Sequence, residues 1–384
     1  MDYAQRLARL RERMGQADVD VVYLPRGANL FYLTGVRRPL EHGTDHNAYG
    51  DWASGAYIAR DGGVVLLAPR MGGAFYEAEA MDKPWIARVR LIQETESPLA
   101  VVQQTLRECA ARLGHVAIDD RAWGQATLAL QEVAPEAVFS SASALIAPLR
   151  MIKDDEEMAA MRRASELADL VFARTVPILR PGVSEFEVAR EVDYQFRLAG
   201  AEYTSFETGI SFVGPAGDAG RGTTRASQAR RLSPGDSVTF DFGCVLGGYC
   251  SDFGRSAFVG EPPAEYRRIH ELVLAAQRAA LEAMRAERIT ASEANAVARR
   301  AIADAGYDDN FTHRLGHGIG VTVHEPPFLD AVDQTVLQDR MVFTVEPSVR
   351  VPGRFGNRVE DVVVVTPAGG EPLNRAAHDL VVVA

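Results

Sequence analysis

The chain has 384 residues, 47% of them hydrophobic and 24% charged, which suits a globular protein too long for one ordinary core and points to two domains. Its net charge of −11 and pI near 5.3 argue against sequence-independent nucleic-acid binding, which needs a basic footprint. No run approaches the roughly 18 apolar residues of a membrane span, the charged amphipathic start MDYAQRLARLRERMGQ lacks the apolar stretch of a secretion signal, and three cysteines suit a reducing cytoplasm better than a disulfide framework.

Residues 3–16 have helical periodicity. VDVVYL (19–24) reads as a buried strand and NLFYLTG (29–35) as a short apolar segment closed by glycine. The polar loop EHGTDHNAYGDW (41–52) holds His42 and His46. It reads as a surface loop or as a substrate-pocket flap, with Tyr49 and Trp52 as an apolar wall. SGAYIAR and GVVLLAP (54–69) are two strands joined at Asp61-Gly62-Gly63, a hairpin turn signal. An amphipathic helix is expected over 98–114, ending at Gly114, followed by strand HVAID (115–119). This alternation predicts a compact α/β domain over residues 1–150.

The composition then changes. Residues 153–179 form a long predicted helix with acidic residues at its start, as the helix dipole favours. A second follows at 184–200, where Ser184 and Glu187 fit a capping box. Residues 263–287 and 291–305 read as two more helices. Strand runs lie between and after them: DSVTFDFG, the segment 249–258, RMVFTVEPSV and NRVEDVVVV. Helices and antiparallel strands in blocks predict an α+β domain over 151–384. No repeat of 20–50 residues is evident.

The strand runs carry the chemistry. Gly247-Gly248 is a two-residue hairpin turn that pairs Leu246 with Tyr249, and so Gly243 with Asp252. Asp241 and Asp252 then share a face as a diagonal pair, roughly 7–8 Å apart at Cα. Gly243, opposite Asp252, is expected to leave a gap where an ion could sit. The same register puts Cys244 and Cys250 on opposite faces, against a disulfide. His317 lies between glycines, where neighbours do not cover the imidazole. Glu346 interrupts an apolar strand and needs a partner. Strand alternation puts Arg358 beside Glu360 on one face, where it can brace the glutamate. Taken singly, each carboxylate could be a solvated group or a strand-end ion pair. Brought together, four carboxylates and one histidine demand cations. Two divalent metals would balance the charge and activate water at neutral pH. Oxygen-rich ligation favours Mn²⁺, with Co²⁺ or Zn²⁺ admitted by the imidazole.

The ordered set Asp241-Phe-Gly, Ser-Asp252-Phe-Gly-Arg, Gly-His317-Gly-Ile-Gly, Val-Glu346-Pro and Arg358-Val-Glu360-Asp resembles the pita-bread metallopeptidases, which include methionine aminopeptidase, aminopeptidase P and prolidase. The resemblance spans about 153–384. The α/β domain ahead of it resembles that of prolidases, aminopeptidase P and creatinase. Methionine aminopeptidases lack this domain, and creatinases lack the metal ligands. The resemblance implies a pita-bread catalytic domain, an Xaa-Pro dipeptide or short-peptide substrate, and a homodimer. It makes Asp241, Asp252, His317, Glu346 and Glu360 the metal ligands. Glu346 would also take a proton from the water. His324 would bind substrate near the scissile amide, His313 would be a further active-site histidine, and Arg358 would support the ligands.

One departure bears on activity. The family usually carries another histidine about seventeen residues before the first metal aspartate, which here falls on Thr224. No histidine occurs from 116 to 269. Either Arg221, Arg225 or a residue elsewhere substitutes, or the substrate differs, or activity is lost. Arg221, Arg225, Arg230 and Arg231 could engage a substrate carboxylate or form a solvated basic loop. Prolidase is the preferred reading, on the resemblance of His324-Glu325-Pro326 to bacterial prolidases. The rivals are aminopeptidase P acting on longer peptides, a metal-dependent hydrolase or lyase of a small non-peptide compound, and a non-enzymatic binding protein on a peptidase scaffold.

Overall fold

The computed structural model describes residues 1–38, 49–111, 113–215, 217 and 226–384. His42, His46, Arg221, Thr224 and Arg225 lie outside the described residues, and with them most of the flap reading of 41–52. The chain divides into two compact units, Met1–Arg150 and Met151–Ala384.

The first unit is built on a six-stranded mixed sheet. Its spatial order is Ile86–Ile92, Val64–Pro69, Gly55–Ala59, Val21–Leu24, His115–Ile118 and Val138–Ser141. Strand Val21–Leu24 runs antiparallel to Gly55–Ala59 and parallel to His115–Ile118. All four of its residues are buried, which requires cover on both faces. Helix Tyr3–Gln16 buries Leu7, Leu10 and Met14, spaced i, i+3 and i+7 on one stripe. The hairpin pairs Ile58 with Val64 around the predicted turn. The helix expected to reach Gly114 stops at Cys109, because Ala110 turns to extended backbone. Trp52 packs against this unit's own core, and Tyr49 is exposed.

The second unit has two helix pairs, each followed by antiparallel strands. Helices Asp155–Thr175 and Glu185–Leu198 pack with strands Gly209–Val213, Ser237–Phe242 and Phe253–Val259 around one core. Helices Ala264–Ala283 and Ala291–Asp304 pack with the strands around Leu329, Val342–Val345 and Asp361–Thr366 around another. Capping boxes start three of these helices: Asp154 with Glu157, Ser184 with Glu187, and Thr290 with Glu293. The helix predicted over 153–179 ends at Thr175, and a short 3₁₀ turn over Val176–Ile178 holds Pro177.

Period-two alternation sorts the strand side chains. In Ser237–Phe242, residues Val238, Phe240 and Phe242 are buried in the helix-covered core, where Phe240 meets Phe172 edge-on and Phe242 stacks on Phe253. Asp241 therefore points to the other face. The register pairs Phe242 with Phe253 and Asp241 with Gly254, which makes Asp252 the diagonal neighbour of Asp241.

Two runs expected as single strands are broken. RMVFTVEPSV splits into Val342–Val345 and Ser348–Val351, and NRVEDVVVV into Phe355–Arg358 and Asp361–Thr366. Pro347 has no N–H for the ladder. The register nonetheless continues across the break, with Val345 opposite Asp361 and Ser348 opposite Arg358. Glu346 thus faces Glu360 in the interruption. Two like charges directly opposed are destabilising, so the break concentrates electrostatic stress at one point.

The strand carrying His317 is held by close backbone approach. A Cβ on Gly316 would lie 1.9 Å from the Thr344 carbonyl oxygen. Gly316→Ala should force this strand from its neighbour and cost about 3 kcal/mol. Urea unfolding of the metal-free protein measures this, and an unchanged midpoint would contradict it.

Candidate metal centre

Asp241, Asp252 and Glu360 each offer an oxygen within 4.8 Å of the others. His317 Nε2 lies 3.5 Å from Asp252 Oδ2 and 3.5 Å from Glu346 Oε1, which joins the remaining two residues to the cluster. All five residues singled out in the sequence therefore converge. Asp252, His317, Glu346 and Glu360 are buried, and Asp241 is partly so.

The local geometry suits metal ligation. His317 Nδ1 is 3.1 Å from the Gly318 carbonyl, which can only accept, so Nδ1 carries a proton and Nε2, turned toward the carboxylates, is the nitrogen a metal would take. Thr344 ties two members together: its hydroxyl accepts from the His317 N–H (3.1 Å) and donates to Glu346 Oε1 (3.2 Å). Asp252 Oδ1 and Glu360 Oε2 are buried and accept no hydrogen bond among the described residues. Buried carboxylate oxygens without donors need a cation. The donor set, four carboxylates and one imidazole nitrogen, fits two hard or borderline divalent ions.

The glycine that makes room is Gly254, and the expectation for Gly243 is corrected. A Cβ on Gly243 would strike the Ser251 carbonyl oxygen at 2.0 Å, so this glycine allows backbones to approach and leaves no ion-sized gap. A Cβ on Gly254 would meet Glu360 Oε2 at 2.7 Å and Glu360 Cβ at 2.9 Å. Gly254 is what lets Glu360 lie beside Asp241.

Residues 159–367 match metallopeptidase family M24, and residues 6–152 match the creatinase/prolidase N-terminal domain. The chain belongs to metallopeptidase family M24. An Xaa-Pro dipeptidase from Lactobacillus delbrueckii subsp. lactis is 32% identical over 378 residues, covering 97% of this chain and 98% of its own. An Xaa-Pro dipeptidase from Pyrococcus furiosus is 30% identical over 377 residues, covering 98% and 99%. The crystal structure of recombinant prolidase from Thermococcus sibiricus matches with a TM-score of 0.88 at 32% identity, covering 100% of this chain and 99% of that one. The α+β fold is thus the family's pita-bread catalytic domain behind a creatinase/prolidase N-terminal domain, and this M24 chain is a metallopeptidase.

Around the five residues, Arg358 Nη1 hydrogen-bonds Asp241 Oδ2 and lies 3.7 Å from Glu346 Oε2 and 3.8 Å from Glu360 Oε2. His324 is exposed, and its ring centroid is 4.2 Å from that of His317. His313 differs from a free donor. Its Nδ1 is 2.7 Å from the Arg314 carbonyl, so Nδ1 carries the proton and Nε2 accepts from the Ser348 hydroxyl at 2.6 Å. Burial first, then Arg358, pushes its pKa down to about 3, so the ring is neutral at working pH. Of the arginines considered for a substrate carboxylate, Arg230 is buried 2.7 Å from Asp236 and Arg231 pairs with Glu187 at 2.6 Å. Both are already committed.

Thr344, Ser348 and Asp361 were missed in the sequence. Asp361 carried a readable signal, since an acid heading the apolar run DVVVV needs a buried partner. Neighbouring acids show the contrast. Burial raises the Asp361 pKa, but Arg255 and His378 outweigh it and hold the group below its ordinary range. Burial, with Asp252 and Glu346, pushes Glu360 well above its range. Burial also raises Asp241 against the pull of Arg358, and lifts Glu346 to about 7. His317 is disfavoured as a cation by burial, yet Asp252 and Glu346 raise it overall. The centre is short of positive charge.

In the metal-free protein Glu346 binds a proton between its ordinary 4.5 and about 7 that the unfolded chain does not. That contribution to stability is present below 4.5 and lost as pH rises to about 7. Metal competes with those protons. The rise in melting temperature on adding Mn²⁺ should therefore be larger at pH 8 than at pH 6, read by thermal unfolding. Equal rises at both pH values would contradict the charge deficit.

Proposed function

We propose that this M24 protein is an Xaa-Pro dipeptidase, with two divalent ions held by Asp241, Asp252, His317, Glu346 and Glu360. One observation carries the reading: four carboxylates and Nε2 of His317 converge beside the Arg358 guanidinium, in a chain alike over nearly its whole length to Xaa-Pro dipeptidases. When bound, the ions would polarise the scissile carbonyl and lower the pKa of the attacking water.

The residues divide the remaining work. Glu346, 3.5 Å from His317 Nε2 within the cluster, is assigned to accept the water's proton and return it to the leaving nitrogen. His324, exposed beside His317, is assigned to donate a hydrogen bond to the substrate carbonyl as charge develops there. His313, with both ring nitrogens engaged, holds the Ser348 segment next to Glu346 and does not donate to substrate. Arg358 stabilises the ligand carboxylates. Oxygen-rich ligation favours Mn²⁺. We further propose a homodimer in the cytoplasm, the compartment its three cysteines suit, none of which is in a disulfide. No described helix is long and apolar enough to cross a membrane.

Hydrolysis of Ala-Pro and Ala-Pro-Ala after reconstitution with Mn²⁺ tests the assignment. Efficient release of proline from Ala-Pro is expected, with the tripeptide slower. Exclusive cleavage of the tripeptide would make the protein an aminopeptidase P, and turnover of neither would favour a non-peptide substrate. In the same assay Glu346→Gln should lower kcat by about 10²–10⁴-fold. His324→Ala should lower it by about 10²-fold with the Mn²⁺ content unchanged. Wild-type rates in either variant would remove that residue from the chemistry.

A further inference from the structure

Behind the strands that carry Glu346 and Glu360 lies a second buried polar cluster, on the side away from the carboxylates. Arg255 is its hub. Its Nη2 donates to Asp361 Oδ1 (2.7 Å) and to the Ala376 carbonyl (3.1 Å). Its Nη1 donates to the carbonyls of Gly254 (2.8 Å) and Glu360 (2.6 Å), and its Nε to that of Ala377 (3.3 Å). A guanidinium has five N–H donors, and these contacts use all five. Gln277 Nε2 donates to Asp361 Oδ2 (3.0 Å) and to the Val345 carbonyl (3.1 Å). His378 Nε2 closes the outer side of Asp361 at 2.7 Å. One carboxylate is thereby tied to the peptide of Glu360 through Arg255, and to the peptide preceding Glu346 through Gln277.

Stability alone is a poor reason for this cluster. A buried ion pair gains little over well-packed apolar residues of the same volume, so its use lies in fixing geometry. The geometry at stake is the interruption of the ladder, where Glu346 and Glu360 face each other and each peptide bonds to a third segment, Glu346 N–H to the Leu315 carbonyl and Glu360 to Gly254. Their mutual repulsion pushes these segments apart, and the cluster ties both to one rigid point.

We propose that Arg255, Asp361, Gln277 and His378 are positioning residues that set the spacing of Glu346 and Glu360 for metal binding. The inference rests on the metal centre described above, and it makes the carboxy-terminal segment Ala376–His378 part of that centre's support. Partners that orient ligands in this way typically change metal affinity about 10–100-fold when removed.

Co²⁺ titration of the metal-free full chain, followed by its visible d–d absorption, tests the proposal without reference to turnover. His378 is 39% exposed, so His378→Ala leaves the core intact. Gln277→Met keeps volume while removing both donors. Each should weaken Co²⁺ binding at least about tenfold and change the absorption spectrum. His378→Gln, which can still donate to Asp361, should recover most of the loss. Ile302→Ala, in the core of helix Ala291–Asp304 and outside the cluster, should lower the melting temperature yet keep wild-type affinity and spectrum. Affinities within twofold of wild type and unchanged spectra in both His378→Ala and Gln277→Met would overturn the positioning role. So would an equal loss of affinity in Ile302→Ala. Wild-type protein that takes up no Co²⁺ would instead overturn the metal centre itself, and this inference with it.

Discussion

Repulsion among Asp241, Asp252, Glu346 and Glu360 is the constraint around which the second unit is arranged. Among the described residues, the Arg358 guanidinium and the His317 imidazole lie with these carboxylates to offset them. Burial makes their charged forms costlier still, and the direction of the shifts at Asp241, Glu346 and Glu360 follows from that. Apolar burial elsewhere in the unit must outweigh this cost when no cation is present. Its two cores, each formed by a helix pair against antiparallel strands, supply that burial.

The cores also dictate where the acids point. Val238, Phe240 and Phe242 are drawn under the helices, and alternation then leaves Asp241 on the opposite face. Glu346 and Glu360 reach the same place by another route, a ladder whose register persists across a gap. Glycines are used there for proximity. Gly316, Gly243 and Gly254 each bring backbone or side chain closer than a Cβ would permit, and only Gly254 opens space for a ligand carboxylate. Glu346, the assigned proton acceptor, lies in the same crowd, 3.5 Å from His317 Nε2 and 3.7 Å from Arg358 Nη1.

Local signals in the chain were legible and long-range ones were not. The capping box at Ser184 and Glu187, the hairpin register around Gly247-Gly248, and the helical stripe over 3–16 all depend on residues close in sequence, and the structure has them. The break at Glu346-Pro347 was readable in principle from the proline, yet the apolar run around it read as one strand. The true role of Gly254 depends on Glu360, more than a hundred residues away, and the commitment of His313 to Ser348 depends on a pairing no local pattern encodes. Arg255 closes the Ser-Asp252-Phe-Gly-Arg motif, but most of its partners lie far away in the chain. Its five acceptors come from three separate stretches of chain, at Gly254, Glu360–Asp361 and Ala376–Ala377.

Metal stoichiometry is the most direct measure of whether the carboxylates exist to hold cations. Elemental analysis after equilibration with Mn²⁺ and exhaustive dialysis should find about two ions per chain in the wild-type protein. Glu360→Gln, which removes a charge while keeping the shape, should hold clearly fewer. A wild-type chain that retains no stoichiometric metal, or a Glu360→Gln chain that retains the full amount, would contradict the account.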